Sequence, residues 1–407
     1  MGRMVFILVL GFSALFLVMG YNANKVASRS VQNMVDYHAK TVAYNIAVSG
    51  ANLAANEIFM DDNWDAGINS VDFDGGILNA NLVVLDALLN IRKLTSTGTY
   101  RGVTKTVEVT FKPSSFSKFA YLSTNDPGNL YWSYKDTIWG PFHSEGKINA
   151  YRHPVFYGKA TSKVGVHYYQ SEALDAPRFY GGYESGVSIA FPNSGLPDLL
   201  NMAASGGHLF TGQDTVYLTF AGDSLKYRFA ANDLDTTVHA QSFAPNGVIC
   251  ADNATVRLKG IVKGQYTVGS AKSLGVGSNG NIYLDDDIVY SDDPRINPNS
   301  TDLLGIVAKN NVQIAENVAN SSDINIHASI YSEYGGFGAG WPSFTQPNGH
   351  INLYGGIQNK ARVQIGVIHG SDIWGFNRRY KYDTRLMLIS PPGYPGTGDL
   401  EIVSWLE

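Results

Sequence analysis

The seventeen residues from Met4 to Gly20, MVFILVLGFSALFLVMG, carry no charge. That length is near the lower limit for crossing the hydrocarbon core of a bilayer as a helix. The stretch after this run constrains the chain further. From Tyr21 to Phe59 there is no proline, and the only glycine is Gly50. Apolar residues recur at Val31, Met34, Val35, Val42, Ile46, Ala51, Leu53, Ala54 and Ile58, close to helical spacing. Ser30, Gln32, Asn33, Asp36, Lys40, Asn45, Asn52 and Asn56 fill much of the rest. An unbroken helix over residues 4–59 would be on the order of 80 Å long. Its first part suits lipid and the remainder stands outside. A cleaved secretory signal and a plain anchor joined to an unrelated helix are the alternatives. No small-x-small site follows the run in Tyr21–Ala27, so the run is expected to stay attached. Arg3 flanks one side and Lys25, Arg29 and Lys40 the other, which sets no orientation, although large domains translocate regardless of flanking charge.

Composition narrows the rest of the 407 residues. Charged residues make up 16%, against about 25% in an ordinary soluble protein. The 43 glycines and 24 tyrosines suit β structure with many tight turns. A net charge of −5 supplies no electrostatic footprint for nucleic acid. The single cysteine, Cys250, excludes an internal disulfide framework and a Cys-rich zinc site, and reads as a small buried apolar residue.

Residues 1–60 resemble the N-terminal region of PilX-type minor pilins. The likeness rests on the uncharged run and on the Ala/Asn-rich stretch Ala43–Phe59, AYNIAVSGANLAANEIF. It implies a membrane and pilin-like helix whose second stretch packs into a globular head. The run lacks a Gly-Phe-Thr-Leu-type cleavage site and an internal Glu. Within it, Gly11, Ser13, Ala14 and Gly20 are the small residues that would let partner helices approach closely.

Residues 61–116 read as a connector packing on that shaft. Leu82–Leu94, LVVLDALLNIRKL, has apolar residues at helical spacing and basic residues at its end, which predicts a helix. Tyr100–Lys112 alternates with period two and is rich in Val and Thr, which predicts a strand with one face packed. Beyond Ser117, short apolar β segments bounded by Gly and Asn recur, as in Gly247–Val262, Gly280–Tyr290, Leu304–Ile314 and Ile324–Tyr331. These fit the rungs of a parallel β-solenoid, with Asn279, Asn281, Asn310 and Asn311 at corners. A β-sandwich is the other reading. The first rungs are expected over 117–170, and solenoid plus C-terminal cap over 247–407. Between them, 171–246 is expected as an inserted α+β subdomain. It would hold a short helix at Pro197–Ala204 and a hairpin at Thr215–Phe229 turning at Gly222 and Asp223. The order of GPFHSEGKI, PVFYGKATS, GNIYLDDDIVYSDDP and LGIVAKNNVQI, closing on Tyr382–Glu407, is similar to a bacterial envelope domain of unknown function that comes after PilX-like N-termini. The fold class expected is therefore mainly β: a long N-terminal transmembrane, pilin-like helix plus a parallel β-solenoid head.

Few constellations carry chemistry. Asp285, Asp286, Asp287, Asp292 and Asp293 form an acidic cluster. Hard oxygen ligands suit calcium, with Asp285, Asp287 and Asp292 as the candidate ligands. Clustered aspartates also serve catalysis on β-helices. The third reading, a solvated corner between rungs, needs neither. His143, Glu145 and His153 lie close together but have no third ligand at usable spacing. No nucleophile elbow or Walker loop occurs, and Gly335–Gly340 reads as a surface loop with Tyr334, Phe337 and Trp341. The expected function is structural, without catalysis: a single-pass inner-membrane protein, its head exported to the periplasm or cell surface. Its partners would be the membrane and pilin-like proteins of a type IV pilus or secretion-type pseudopilus, not nucleic acid. The alternative is a surface-anchored β-helix that binds or cleaves carbohydrate.

Overall fold

In a computed structural model, the structure describes residues 2–61, 64–86, 90–191, 195–271, 280–340, 347–370 and 372–407. The chain is mainly β and divides into two compact units, Met1–Pro113 with Asp399–Glu407, and Ser114–Gly398.

The first unit begins with one helix, α1, over Gly2–Met60. At 1.5 Å per residue it is about 90 Å long. An 18-residue window reaches a mean hydropathy of 2.4, so by length and composition it is able to cross a membrane. From Gly2 to His38 its residues are exposed. Its second half is covered along one side, burying Ala43, Ile46, Ala47, Gly50, Ala51, Ala54 and Ile58.

The cover is a five-stranded sheet. Strands β1 (Ile68–Phe73), β2 (Gly76–Asp86), β3 (Ile91–Tyr100) and β4 (Val103–Ser115) follow one another as antiparallel neighbours. The C-terminal strand Gly396–Leu406 closes the sheet beside β4. The alternation expected in Tyr100–Lys112 is present: Val107, Val109 and Phe111 are buried, with partly exposed residues between them. Gly98 lets the helix backbone lie close on β3, since a Cβ there would stand 2.6 Å from the Ala47 nitrogen.

Two expectations fail in this unit. Leu82–Leu94 is not a helix: Leu82–Asp86 ends β2, Ile91–Leu94 begins β3, and Leu82 pairs with Leu94. The β-branched Val83, Val84 and Ile91 are stiff at χ1 and fit a pleated strand better than a helix. The C-terminal cap also differs, because Asp399–Glu407 belongs to this unit and not to the head. There Leu400 and Trp405 join the cluster around Ala51, Phe111 and Ile58.

The second unit is built from long ladders of short strands. One ladder runs in spatial order through 208–210, 248–252, 265–271, 303–308, 324–332, 347–361, 121–125, 142–144, 160–162 and 183–185, each neighbour parallel to the next. A second joins 215–222, 255–262, 282–290, 312–314 and 337–339. A third joins 347–355, 372–382, 137–139, 155–156 and 178–179. Equivalent side chains therefore stack, as in Trp139, Tyr157 and Tyr180, whose ring centroids are 5.1 and 5.3 Å apart. The core between ladders is aliphatic and aromatic, with Ile249, Val256, Leu258, Ile282, Ile306 and Ile330 fully buried.

The sheets are mixed. The hairpin at Gly222 and Asp223 forms as expected, and its return strand Ser224–Arg228 pairs antiparallel on both sides. A second hairpin joins Gly366–His369 to Asp372–Tyr382. Residues 171–246, expected to stand apart, do not: 183–185, 208–210 and 215–222 are members of the ladders. The expected short helix is present at Gly195–Ala204, and its Leu199 and Met202 pack with Val248 and Cys250. Phe337–Ala339, expected in a loop, is a buried strand, because Phe337 continues the stack of Ile282 and Val312. Trp341 and Asn279 lie outside the described residues. The side-chain oxygens of Asn281 and Asn311 each accept a backbone N–H at the start of the neighbouring strand, from Asn311 and Gly336, both at 3.0 Å.

Chain order and spatial order differ. The chain enters the first ladder in its middle, at Tyr121, and builds outward to Ser185. It then returns to the far end at His208 and builds back until Ile357 lies beside Tyr121.

Candidate functional site

The first stretch of α1 is an exposed apolar surface. Phe6, Leu8, Phe12, Phe16 and Leu17 are all more than half exposed. At 100° per residue, Gly11 and Ala14 fall on one side of the helix. Ser13 and Gly20, seven residues apart, fall on another, where with Asn24 they line a shallow depression beside Phe16, Leu17 and Tyr21. A Cβ added at Gly11 or Gly20 would meet nothing within 4 Å, so neither glycine is required by this chain's own packing.

The acidic residues do not converge. Asp285 accepts two hydrogen bonds from Arg257, at 3.0 and 2.5 Å. Asp287 accepts from the Asn325 backbone and side-chain nitrogens, at 2.7 and 2.8 Å. Asp286 accepts from the backbone N–H of Asp287 at 2.8 Å. Asp292 accepts from Asn297 at 2.6 Å. Asp293 is paired with Arg295, whose side-chain hydrogen bonds hold the carboxyl down at about 2. Among the described residues, no three His, Cys, Asp or Glu are grouped to hold a metal ion. Asp285 and Asp287 instead tie their strand to neighbouring ones, and Asp292 and Asp293 hold the turn after it. Adding a chelator to the purified protein is therefore expected to leave its melting temperature unchanged. Calcium at one hundred times its Kd would contribute about 2.7 kcal/mol, so a drop of several degrees would sink this expectation.

His143 and Glu145 do meet, at 3.1 Å between Nε2 and Oε1. The His143 Nδ1 lies 2.8 Å from the Thr161 hydroxyl, and burial lowers the imidazole pKa. Burial would raise the carboxyl of Glu145. The backbone N–H of Ile189, the Lys163 ammonium, His143 and the Ser188 hydroxyl outweigh it and hold the group at about 2. Glu145 thus fastens the returning segment to the ladder. His153 is elsewhere, in a left-handed turn, bonded to the Ala176 carbonyl at 2.8 Å. Cys250 is fully buried, and burial pushes its thiol up to about 12.

A polar cluster in the second unit has no counterpart among the sequence candidates. Two buried guanidiniums, Arg362 and Arg378, lie 4.2 and 4.7 Å from the ring centroid of buried Trp132. Asp136 accepts from Arg378 Nη1 at 2.7 Å, from the Arg378 backbone at 2.9 Å and from the Ser133 backbone at 2.7 Å. Burial disfavours the charge on Arg378, and Asp136 more than offsets this. Arg362 donates from Nη1 to the Leu130 carbonyl at 3.1 Å, while its Nε and Nη2 have no partner. Burial and the neighbouring Arg378 lower its pKa.

No protein-family model matches the chain, and no curated protein matches it either. Among solved structures, it is similar to the crystal structure of the competence-associated pilin ComZ from Thermus thermophilus. The identity is 12% and the TM-score 0.32, over 90% of this chain and 97% of that one.

Proposed function

We propose that the protein is a membrane-anchored, exported structural protein, a pilin-like component or accessory of a type IV pilus or secretion-type pseudopilus. One observation carries this reading: a single helix is bare and apolar over Met4–Gly20 and, from Ala39 on, is packed under a sheet. The bare half has no partner surface of its own, and in water its exposure would be strongly unfavourable. Lipid, and then the helices of neighbouring subunits, supply that surface. The helix would stay in the inner membrane with the head in the periplasm or at the cell surface. The parallel ladders of the second unit are read as rungs of a β-solenoid, with the two hairpins as elaborations. The protein acts by assembly and not by catalysis.

Helices in lipid associate through close packing at small residues. Replacing Gly11 and Ala14 together with Leu in the full-length chain should therefore leave the melting of the head unchanged. Co-purification with pilin-like partners should fall by about tenfold, which corresponds to roughly 1.4 kcal/mol. Unchanged co-purification would overturn the assembly reading.

A further inference from the structure

Beside the buried arginines the second unit opens into a cleft of about 300 Å³. That is the lower end of the range for small-molecule sites, room for one ring of a longer saccharide whose other rings lie outside. One side is the hairpin of Gly366–His369 and Asp372–Tyr382, which supplies Val367, Ile373 and Phe376. The other supplies Tyr131 and Tyr169, whose rings meet edge to face at 5.1 Å and 88°. Tyr169 is 49% exposed, so the aromatic wall is open to an incoming group.

Two polar residues on the lining are more than nine-tenths buried. Ser133 is 3% exposed, and its hydroxyl has no hydrogen-bond partner. Arg378 is 8% exposed and spends one side-chain N–H on Asp136, out of the five a guanidinium carries. Behind it Arg362 leaves Nε and Nη2 unfilled. Asp126 accepts from the Ser123 and Ser144 hydroxyls at Oδ2, and its buried Oδ1 has no hydrogen-bond partner. Buried donors without acceptors are costly, and a guanidinium fork matches a carboxylate in shape as well as charge. The amides of Asn129 and Gln364 on the rim add hydroxyl-matching groups.

We infer that this cleft is a binding site for a sugar acid. The carboxylate sits on Arg378, one hydroxyl reaches Ser133, and the ring lies against Tyr131 and Tyr169. The site adds a ligand to the assembly reading and does not depend on it.

The test is calorimetric titration of the full-length protein in detergent with three probes: trigalacturonate, the neutral maltotriose, and hexanoate. A charge-assisted pair should make trigalacturonate bind roughly tenfold to a hundredfold more tightly than maltotriose. Hexanoate, which lacks the ring and hydroxyls, should bind more weakly than trigalacturonate. Tyr169→Ala should weaken trigalacturonate about tenfold, as loss of an aromatic anchor does, with no change in melting temperature. It is the variant of choice because Arg378→Gln puts the fold at risk. Equal binding of maltotriose would overturn the role of Arg378. Binding of hexanoate as tight as trigalacturonate would overturn the sugar assignment, and absence of binding by all three would overturn the site.

Discussion

Replacing Gly98 with valine is expected to loosen the shaft from its sheet. A Cβ at this position would stand 2.6 Å from the Ala47 nitrogen and 2.7 Å from the Ile46 Cβ, with the Ala43 carbonyl closer still. Two of these three are helix backbone, which cannot rotate aside. The helix must move outward, and the contacts of Ala43, Ile46, Ala47 and Gly50 with β2 and β3 open together. Overpacking of this kind costs typically 1–3 kcal/mol, and backbone obstruction puts the effect at the upper end. Hydrogen exchange of the amides of Ala43–Ile58, in the full-length protein in detergent, reads the local stability directly. Protection there should fall by about a hundredfold, the equivalent of nearly 3 kcal/mol. Gly128→Ala, where an added Cβ meets nothing within 4 Å, is the matched control. Wild-type protection in Gly98→Val would mean that the helix does not lie on β3.

The parts of this fold that could be read from sequence are those whose signal is local. The absence of proline between Met4 and Phe59 gave the helix. The alternation Val107, Val109, Phe111 gave β4, and Gly222-Asp223 gave a hairpin. Leu82–Leu94 misled because its apolar residues are spaced acceptably for either structure, and only the pairing of Leu82 with Leu94 decides between them. The ladders were legible only as recurring short apolar segments. Along the first one, equivalent residues Ile249, Val268, Ile306, Ile330 and Ile357 are separated by 19, 38, 24 and 27 positions, so no constant period exists to be found. The chain also enters that ladder in its middle, which makes Tyr121 the neighbour of Ile357. The sites follow the same rule. His143 and Glu145 are two residues apart and do meet. The acidic run Asp285–Asp287 was conspicuous, yet Arg257 and Asn325, its donors, lie on other strands.

Asp136 and Arg378 are 242 positions apart, and nothing around either residue announces the other. Their pairing makes Asp136→Ala the substitution with the largest expected effect on the second unit. Asp136 is 1% exposed and accepts three hydrogen bonds, two of them from Arg378. Removing it leaves both guanidiniums around Trp132 without a bonded carboxylate. Arg362, 4% exposed, is shut off from water, and Arg378, 8% exposed, meets it only where it lines the cleft. Breaking a buried pair from one side costs about 3–5 kcal/mol, whereas replacing both partners with apolar groups of similar volume is often close to neutral. The double variant Asp136→Leu with Arg378→Met should therefore be more stable than Asp136→Ala alone. Urea unfolding followed by tryptophan fluorescence measures both, with the difference appearing in the midpoint at unchanged slope. Asp136→Ala with a parental midpoint would show that Asp136 is not what holds the charge on Arg378. A double variant less stable than the single one would show that Arg378 contributes mainly through its packing on Trp132.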